Sequence, residues 1–398
     1  MKARALTASM WTFSNSDALR VSRDLAYAEL SQIPGVRQQL GPRLTNDLAW
    51  GKNALDVDSL SRMALATAAA TWCNAHDSGH SDLFLARKSV ADWAQVMLQA
   101  RSQTAQNFTF STSGSTGARK HIRHKEAHLW QEVQGWAELL KVRKRVVVCC
   151  PVHHIYGFLW GVMLPQAIGV PVVELAWDVP LDLQPGDLLV AVPAQWSWWG
   201  QIRKPWPADI VGVTSTAPLS AEAAAAAKAQ GLRQLLAIYG STETAGLGWR
   251  DELDAGTSGQ GYTLGSARAR MGDGIGMVMA DGALVGLDVQ DHLQWLESGQ
   301  FMVTGRIDGV LQIAGHNVST EAVRLKLVGH QDVSEAAVRL DLASPAPRLK
   351  AFVVLKEGAT PKNFERWLHD QLDSYSRPAR VAYGSALPRN DLGKLTDW

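Results

Sequence analysis

Cysteine is scarce in this sequence, whose 398 residues include only three, Cys73, Cys149 and Cys150. Two of them are adjacent and no CxxC pair exists, which excludes a disulfide framework and a zinc knuckle. So few thiols are typical of a protein from a reducing compartment. We therefore expect a cytoplasmic location.

Long apolar runs are missing as well. No stretch approaches the roughly 18 residues that cross a bilayer, so we expect no membrane span. The first residues, MKARALTASMWTFSNSD, lack the apolar core of a signal peptide. The net charge is +1, which gives no reason to expect a nucleic-acid partner. With 46% apolar and 19% charged residues, the composition is that of a globular protein of two or three domains.

From about residue 145, short β-branched runs alternate with helical stretches. The runs that predict buried strands are 145–150, 171–175, 187–192, 209–215 and 234–240. The stretch SAEAAAAAKAQG predicts a helix with Ser220 as N-cap and Gly231 as its stop. This order favours an α/β fold with a largely parallel sheet. In such sheets ligands bind beyond the carboxyl ends of the strands.

The pattern changes after about residue 308. Short strand patterns at GVLQIAG, EAAVRL and KAFVVL precede PKNFERWLHDQLDSYS, 361–376, which predicts an amphipathic helix. We therefore expect a large domain over 1–307, with mainly parallel sheets flanked by helices, and a small α+β domain over 308–398.

The stretch STSGSTGARK, 111–120, is built almost entirely of small and hydroxylated residues. Its glycines let successive N–H groups point to one centre, and its hydroxyls and two cations add donors suited to phosphate. It is not a Walker A loop, because Gly114 and Gly117 are too close together. By itself the pattern is equally typical of a plain surface turn.

Three later stretches also carry candidate chemistry. YGSTETAG, 239–246, places the carboxylate of Glu243 at the end of an apolar strand. This placement is typical of a group that binds a Mg²⁺ ion, which in turn binds phosphate. It is also typical of an acidic residue in the first turn of a helix. TGRIDGVLQIAGHNV, 304–318, is rich in turns, and LPRNDLGKLTDW, 387–398, carries Lys394 beside a glycine.

In this order the stretches resemble the motifs of the adenylate-forming superfamily, which includes acyl-CoA synthetases, aryl-acid ligases and adenylation domains of peptide synthetases. PVHHIYGF, 151–158, and STAPLS, 215–220, match further motifs of that superfamily. The resemblance covers about residues 108–398, whereas residues 1–107 diverge. It implies an AMP-forming carboxylate–thiol ligase with a mobile small domain. Such an enzyme uses ATP and Mg²⁺ to make an acyl-adenylate, releases pyrophosphate and transfers the acyl group to a thiol.

The resemblance also implies roles for individual residues. The ATP phosphates would be held by Thr112, Ser113, Gly114, Ser115, Thr116, Gly117 and Lys120. Tyr239, which precedes the turn at Gly240, would stack on adenine, with Ala217 and Pro218 on the other side. Asp291 and Arg306 would contact ribose, and Asp308 would lie at the hinge between the domains.

The remaining implied roles are catalytic. Thr242 would contact the α-phosphate and Glu243 would hold Mg²⁺. His154 would lie near the incoming carboxylate, and Lys394 would bridge that carboxylate and the α-phosphate. The segment between Glu243 and Asp291 is shorter than is usual for the superfamily, and Val323–Arg324 replaces its usual Val–Glu pair.

The range of possible substrates is limited by a residue type that is missing from the motif PVHHIYGF. HHIYGF has no acidic residue to bind an α-ammonium group, which disfavours an amino acid. AQWSWWG, 194–200, would either wall a flat pocket for an aromatic acid or pack in the core. The chain is similar to the small hydroxybenzoate ligases of xanthomonadin and aryl-polyene pathways, which implies a phosphopantetheinylated acyl carrier protein as acceptor, with CoA as the alternative.

Other interpretations stay open. The enzyme could use a fatty or cinnamic acid, or the chain could be a non-catalytic nucleotide- or acyl-binding relative. DVDSLSRM resembles the phosphopantetheine site of a carrier protein at Ser59, or is a capped helix with Leu60, Met63 and Ala64 on one face. His124 and His128, expected on one helix, are either a metal pair or a solvated face. KVRKR, 141–145, predicts a solvated helix end or a weak docking patch for an acidic carrier.

Overall fold

The computed structural model describes residues 11–398 apart from 34, 38, 41–44, 51–54, 105–106, 113–119, 177–178, 255–260, 307–309, 342–343, 345 and 389–394. The chain forms two compact units. The larger comprises 1–112, 121–289 and 295–302, and the smaller comprises 113–120, 290–294 and 303–398. The predicted α/β class, with a large N-terminal part and a smaller C-terminal part, is confirmed.

Helices dominate the first part of the larger unit. They are α1 (Asn15–Leu30), α2 (Ser59–Trp72), α3 (Ser81–Ala86) and α4 (Val90–Thr104). Ser14 and Asp17 form a reciprocal capping box at the start of α1. Asp58 caps α2, so the capped helix predicted there is confirmed. Its expected apolar face is nevertheless exposed, because α2 packs inward through Leu65, Ala69 and Trp72.

The strands β1 (Asn107–Thr112) and β2 (Lys120–Lys125) follow and form a two-stranded sheet, and β2 leads into α5 (Glu126–Leu140). His124 therefore lies on a strand and His128 on a helix. The prediction of both histidines on one helix is wrong, since the alternating exposure of β2 shows a period of two residues there.

The main sheet contains all the strands predicted between residues 145 and 240. These are β3 (Arg145–Val148), β4 (Val172–Glu174), β5 (Asp187–Ala191), β6 (Val211–Thr214) and β7 (Gln234–Ser241). They are parallel and lie in the order β4-β3-β5-β6-β7. The antiparallel strands β8 (Ala245–Asp251) and β9 (Thr263–Leu264) extend the sheet beyond β7.

Both faces of this sheet are buried, as the continuous apolar runs predict. Val146 and Val148 point into a core shared with α1, α2 and α5, whereas Val147 points into a second core on the opposite face. The second core is covered by α8 (Pro193–Ile202) and α9 (Ala221–Ala229). The side chain of Ser220 caps α9 and Gly231, with φ +93°, follows its end, as expected.

The tryptophans of α8 belong to this second core. Trp196 and Trp199 are buried, and their rings pack edge to face at a centroid distance of 5.3 Å. Of the two alternatives for AQWSWWG, a pocket wall or core packing, these two rings therefore follow the second.

A helical segment runs from Ile155 to Ile168 and changes its hydrogen bonding midway. It comprises α6 (Ile155–Phe158), a π-helical turn (Leu159–Met163) and α7 (Leu164–Ile168). The buried Arg20 donates to the carbonyl oxygen of Gly161 within the π-helical turn, at 2.9 Å. Such turns shift the phase of a helix and often lie near functional sites.

Several short strands follow β9. They are β10 (Arg268–Met271), β11 (Gly274–Val278) and β12 (Leu284–Gly286), which form one antiparallel sheet, and the paired β13 (Asp291–Trp295) and β14 (Phe301–Arg306).

The smaller unit is α+β and has its own core. Its strands are β15 (Val310–Ile313), β16 (His316–Ser319), β17 (Val333–Leu340), β18 (Leu349–Leu355) and β19 (Arg380–Tyr383). Its helices are α10 (Thr320–Val328) and α11 (Pro361–Gln371). The predicted helix over 361–376 ends earlier, because Leu372 leaves the helix and turns its side chain into the core.

Within the described ranges, none of the helices has the length and apolarity needed to cross a membrane. The same residues contain no group of three or more histidine, cysteine, aspartate or glutamate side chains placed to hold a metal ion.

All the cysteines are buried as free thiols, and burial raises the pKa of Cys73 to about 12. KVRKR is not simply a solvated helix end, since Arg143 is buried and pairs with Asp209 at 3.2 Å.

Candidate functional site

Several of the predicted site residues lie where the parallel strands of the larger unit end. The segment with His154 follows β3, Ala217 and Pro218 follow β6, and Thr242 and Glu243 follow β7. Because parallel strands end at one edge of their sheet, these residues share the edge at which α/β proteins bind ligands. The strand pattern alone predicted this arrangement.

The turn that joins β7 to β8 carries Thr242 and Glu243, both half-buried. Inside this turn, the amide nitrogen of Ser241 donates to Oγ1 of Thr244 at 3.1 Å, and the Thr244 amide donates to Oγ of Ser241 at 3.3 Å. A Cβ atom on Gly240 would lie 2.1 Å from the carbonyl oxygen of Ala245, so only glycine permits this close hairpin. The carboxylate and hydroxyl oxygens of Glu243 and Thr242 are hard donors of the kind that Mg²⁺ prefers.

Side chains from other elements also hold the main chain of this turn. Nε2 of His124 lies 2.6 Å from the carbonyl oxygen of Thr242, and Nη2 of Arg268 lies 3.4 Å from that of Thr244. Arg268 is itself paired with the buried Glu132, whose Oε1 accepts from the amide nitrogen of Gly246 at 3.0 Å. The turn is therefore fixed from β2, α5 and β10.

The ring of Tyr239 lies just before the turn, in an aromatic group. Its centroid is 5.3 Å from that of Tyr262 and 5.5 Å from that of Phe301. The Arg250 guanidinium lies over Tyr262 at 4.7 Å. Tyr239 keeps part of its surface exposed, so it combines a supported position with an accessible face.

The segment after β6 has an unusual backbone. Thr216 has φ +82°, which is rare for a β-branched residue, and it directly precedes Ala217 and Pro218. Ser215 donates from Oγ to the carbonyl oxygen of Ile238 on β7, at 2.8 Å. Backbone strain of this kind concentrates at functional sites.

The exposed His154 follows a segment held by the N-terminal helices. Asp24 of α1 accepts from the amide of Val152 at 2.8 Å, and Trp72 of α2 donates from Nε1 to the carbonyl of His153 at 2.9 Å. The ring centroids of His153 and His154 are 3.9 Å apart. The first hundred residues thus support a predicted site residue.

Two further residues of the motif PVHHIYGF, 151–158, fix the position of α6. Tyr156 is buried, and its hydroxyl lies 3.0 Å from the carbonyl oxygen of Ala191 and 2.9 Å from that of Val213. Burial raises the pKa of Tyr156, which keeps its hydroxyl a neutral donor. A Cβ atom on Gly157 would lie 2.0 Å from the carbonyl oxygen of Pro151, so this glycine permits a close approach of the chain to itself.

Much of the predicted ATP site, together with the hinge and catalytic positions of the smaller unit, lies outside the described residues. These positions are Ser113, Gly114, Ser115, Thr116, Gly117, Asp308 and Lys394, together with the side chains of Thr112 and Arg306. Lys120 is exposed at the first residue of β2, and Asp291 is half-buried at the first residue of β13.

The second site considered from the sequence, at Ser59, lies at the first residue of α2 and is exposed. Its Oγ accepts a hydrogen bond from Arg62 at 3.1 Å. Leu60 and Met63, on the neighbouring turn, are 77% and 55% exposed.

The sequence matches the AMP-binding enzyme family over residues 81–283 and the C-terminal domain of AMP-binding enzymes over 326–394. It is 36% identical to a 4-coumarate–CoA ligase of Cereibacter sphaeroides in an alignment 387 positions long that covers 92% of this chain and 90% of the relative.

The chain belongs to the AMP-binding enzyme family. A second relative, a 4-coumarate–CoA ligase of Halorhodospira halophila, is also 36% identical and covers 95% of this chain and 98% of its own length. A third, from Rhodobacter capsulatus, is 32% identical over 91% of this chain and 95% of the relative. The chain is therefore an enzyme of the AMP-forming carboxylate–thiol ligase class.

Two solved structures share the fold of this chain. An o-succinylbenzoate CoA synthetase double mutant from Bacillus subtilis superposes with a TM-score of 0.58, covering 96% of this chain and 92% of its own, at 15% identity. An amide bond synthetase from Marinactinospora thermotolerans gives a TM-score of 0.55, covering 95% and 92%, at 16% identity. At such low identity the likeness concerns the fold alone.

The sequence gives little signal for the residues that hold the turn. His124 stands out only as a member of a histidine pair, and Glu132 and Arg268 are 136 positions apart, without any local motif. The one sequence signal for this contact is Gly246, which directly follows YGSTETA. A Cβ atom there would lie 2.4 Å from Oε1 of Glu132.

Proposed function

We propose that this AMP-binding enzyme activates an aromatic carboxylic acid of the hydroxycinnamate or hydroxybenzoate type as an acyl-adenylate. The acyl group then passes to the thiol of a phosphopantetheine arm. The observation that carries the proposal is the hairpin turn with Thr242 and Glu243, held at the ligand-binding edge of the sheet that also bears His154 and Tyr239.

The aromatic substrate class is supported by the names of the relatives, and an amino-acid substrate is disfavoured by the sequence. The relatives that match nearly the whole chain are named 4-coumarate–CoA ligases. HHIYGF lacks an acidic partner for the α-ammonium group of an amino acid. The tryptophans of α8 give no support, because Trp196 and Trp199 lie in the core. A fatty acid would need a long apolar tunnel, so chain-length dependence separates the two substrate classes.

The proposed roles follow the charges that meet in the reaction. A carboxylate that attacks the α-phosphate of ATP brings two anions together, and cationic groups must offset their repulsion. We assign this task to Lys394. Glu243 and Thr242 are placed to hold Mg²⁺, which when bound neutralises phosphate charge.

Binding roles are proposed for the remaining residues. Tyr239, Ala217 and Pro218 enclose adenine, Asp291 and Arg306 bind ribose, and His154 orients the substrate carboxylate. The phosphates are bound by the Ser- and Gly-rich loop 112–117 and Lys120.

The acceptor thiol belongs to CoA or to an acyl carrier protein, which share the phosphopantetheine arm. The names of the relatives favour CoA. The likeness to hydroxybenzoate ligases of aryl-polyene pathways favours a carrier protein. We take CoA as the first candidate because it is supported by similarity over nearly the entire chain.

The deciding experiment measures pyrophosphate release from ATP with a panel of benzoates, cinnamates and fatty acids. Each acid is tested with CoA and with a phosphopantetheinylated carrier protein. We expect the highest kcat/KM with a cinnamate or benzoate. Preference for a long-chain fatty acid would contradict the aromatic assignment, and no pyrophosphate release with any acid would contradict the activity.

The role of Lys394 is tested in the same assay. Lys394→Ala should lower adenylation about 100- to 1,000-fold, as expected for a group that stabilises transition-state charge. Acyl transfer from a supplied acyl-adenylate should be spared, because that step does not join two anions. Lys362→Ala, an exposed lysine on α11, is the matched control. Adenylation at the full rate in Lys394→Ala would rule out the assignment.

A further inference from the structure

Side chains that are distant in sequence hold the main chain of the turn between β7 and β8 and of the strand that follows it. His124, which is 118 positions away, reaches the carbonyl oxygen of Thr242, and Arg268 reaches that of Thr244. Glu132 binds the amide nitrogen of Gly246 on the outgoing strand. These contacts lie on either side of Glu243, whose own side chain takes no part in them.

The geometry specifies which proton His124 uses. A carbonyl oxygen can only accept, so Nε2 of His124 must carry the hydrogen and donate it to Thr242. At 2.6 Å this contact is short for an N–H···O hydrogen bond. The half-buried ring packs near Phe110, at 6.0 Å between centroids, which restricts its orientation.

The second support is a buried ion pair. Nη2 of Arg268 lies 2.6 Å from Oε2 of Glu132, and both side chains are almost fully buried. Oε1 of Glu132 also accepts from Nε1 of Trp136 at 3.3 Å. A buried ion pair is a poor means of gaining stability, because desolvation offsets the attraction. Its geometric consequence is clear, since it fixes an acceptor for Gly246 and a donor for Thr244.

We infer that His124 is a positioning residue for the activation step, and that with the Glu132–Arg268 pair it holds the main chain that presents Thr242 and Glu243. This inference rests on the proposed function for the roles of those two residues. It adds three side chains that lie outside the motif YGSTE and contact the main chain of the turn. A group that must meet Mg·ATP in one geometry gains rate when its backbone is fixed in advance.

The test compares two substitutions of His124 in the full-length enzyme. His124→Leu keeps an apolar side chain but removes the donor. His124→Gln places an amide nitrogen near the former Nε2 and can still donate to Thr242. His124→Met replaces the leucine variant if that variant does not fold. His76→Leu, an exposed histidine whose Nδ1 contacts Ser81, is the control for loss of an imidazole elsewhere.

The first measurement needs no substrate. Amide hydrogen exchange over residues 239–248 reports the amides of Ser241, Thr244 and Gly246. Loss of one hydrogen bond should speed their exchange about 3- to 10-fold in His124→Leu, with near wild-type exchange in His124→Gln. Exchange in His124→Leu equal to that of the wild type would overturn the inference, whatever the activity.

The second measurement separates positioning from a general loss of structure. In His124→Leu, kcat/KM for Mg·ATP in pyrophosphate release should fall about 10- to 100-fold, the usual effect of losing a supporting partner of a metal-binding group. Acyl transfer from a supplied acyl-adenylate and the KM for the acid should stay within about twofold. His124→Gln should recover most of the activation rate.

The remaining outcomes are also decisive. Equal defects in the leucine and glutamine variants, with a lowered Tm, would show that the ring acts by packing and would overturn the inference. Wild-type enzyme that releases no pyrophosphate with any acid would refute the proposed function, while the exchange comparison would still decide whether His124 holds the turn.

Discussion

Single residues at the hairpin turn are constrained by contacts that leave no room for a side chain. Gly246 lies where Glu132 approaches the backbone, and a Cβ atom there would lie 2.4 Å from Oε1 of Glu132. The carboxylate accepts from the Gly246 amide and from Trp136 while it pairs with Arg268. Burial raises the pKa of Glu132, and the charge of Arg268 acts in the opposite direction. The absence of a side chain at Gly246 thus leaves the space that the buried Glu132 carboxylate occupies.

We predict that Gly246→Ala destabilises the protein by about 1–3 kcal/mol, because the methyl group displaces Glu132 from the amide that it binds. Thermal or urea unfolding measures this change. Gly274→Ala is the matched control, since its Cβ atom would meet nothing closer than 3.7 Å. An equal and small effect of both substitutions would show that Glu132 moves aside without loss.

At the scale of elements, the helical segment after β3 is fastened to the ends of two neighbouring strands. The Tyr156 hydroxyl reaches the carbonyl oxygens of Ala191, at the end of β5, and Val213, in β6. The segment before it is held by Asp24 and Trp72 from α1 and α2. The proposed substrate contact at His154 therefore depends on helices that lie far away in sequence.

We predict that Tyr156→Phe lowers stability by about 1–2 kcal/mol, because it removes a buried hydroxyl that lies within hydrogen-bond distance of two carbonyl oxygens. Tyr375→Phe, which removes an exposed hydroxyl that donates to Asp373 at 2.9 Å, should change stability by less than about 0.5 kcal/mol. Chemical denaturation of both variants gives the comparison. If the two losses are the same, the bonds of Tyr156 contribute no more than a surface contact.

At the scale of the whole molecule, the two units have separate cores, and the smaller one contains the segment that follows Lys394. Arg339 of β17 donates to the carbonyl oxygens of Leu395 and Thr396 at 2.9 and 3.0 Å. Lys350 of β18 pairs with Asp397 and donates to the carbonyl oxygen of Trp398 at 3.0 Å. Residues 395–398 are thus anchored to the sheet of this unit.

We predict that Arg339→Leu frees residues 395–398, with amide exchange in this segment about 10-fold faster, because two hydrogen bonds from a charged donor are lost. If Lys394 acts as proposed, pyrophosphate release should fall in the same variant while acyl transfer is kept. Arg366→Leu, on the exposed face of α11, should change neither. Faster exchange without any loss of adenylation would separate the anchor from the activity of Lys394.

What the sequence determined by itself is local. The β-branched runs from residue 145 to 240 specified the parallel strands, because a strand buried on both faces needs apolar side chains at successive positions. Ser220 and Gly231 specified the ends of α9 through capping and a left-handed backbone. The placement of Thr242 and Glu243 at the carboxyl-terminal edge of the sheet followed from their position directly after a predicted parallel strand. The motifs, taken in order, indicated the AMP-binding family that the comparisons established.

The tertiary structure alone decided which distant residues meet. Nothing near His124 indicates a partner 118 positions away, and its stretch alternates with the period of a strand where a helix was expected. The exposure of Leu60 and Met63 and the burial of Trp196 and Trp199 depend on which neighbouring element covers each face. Local sequence sets backbone preference and apolar pattern, whereas hydrogen bonds between side chains and distant backbone depend on how the chain folds back on itself.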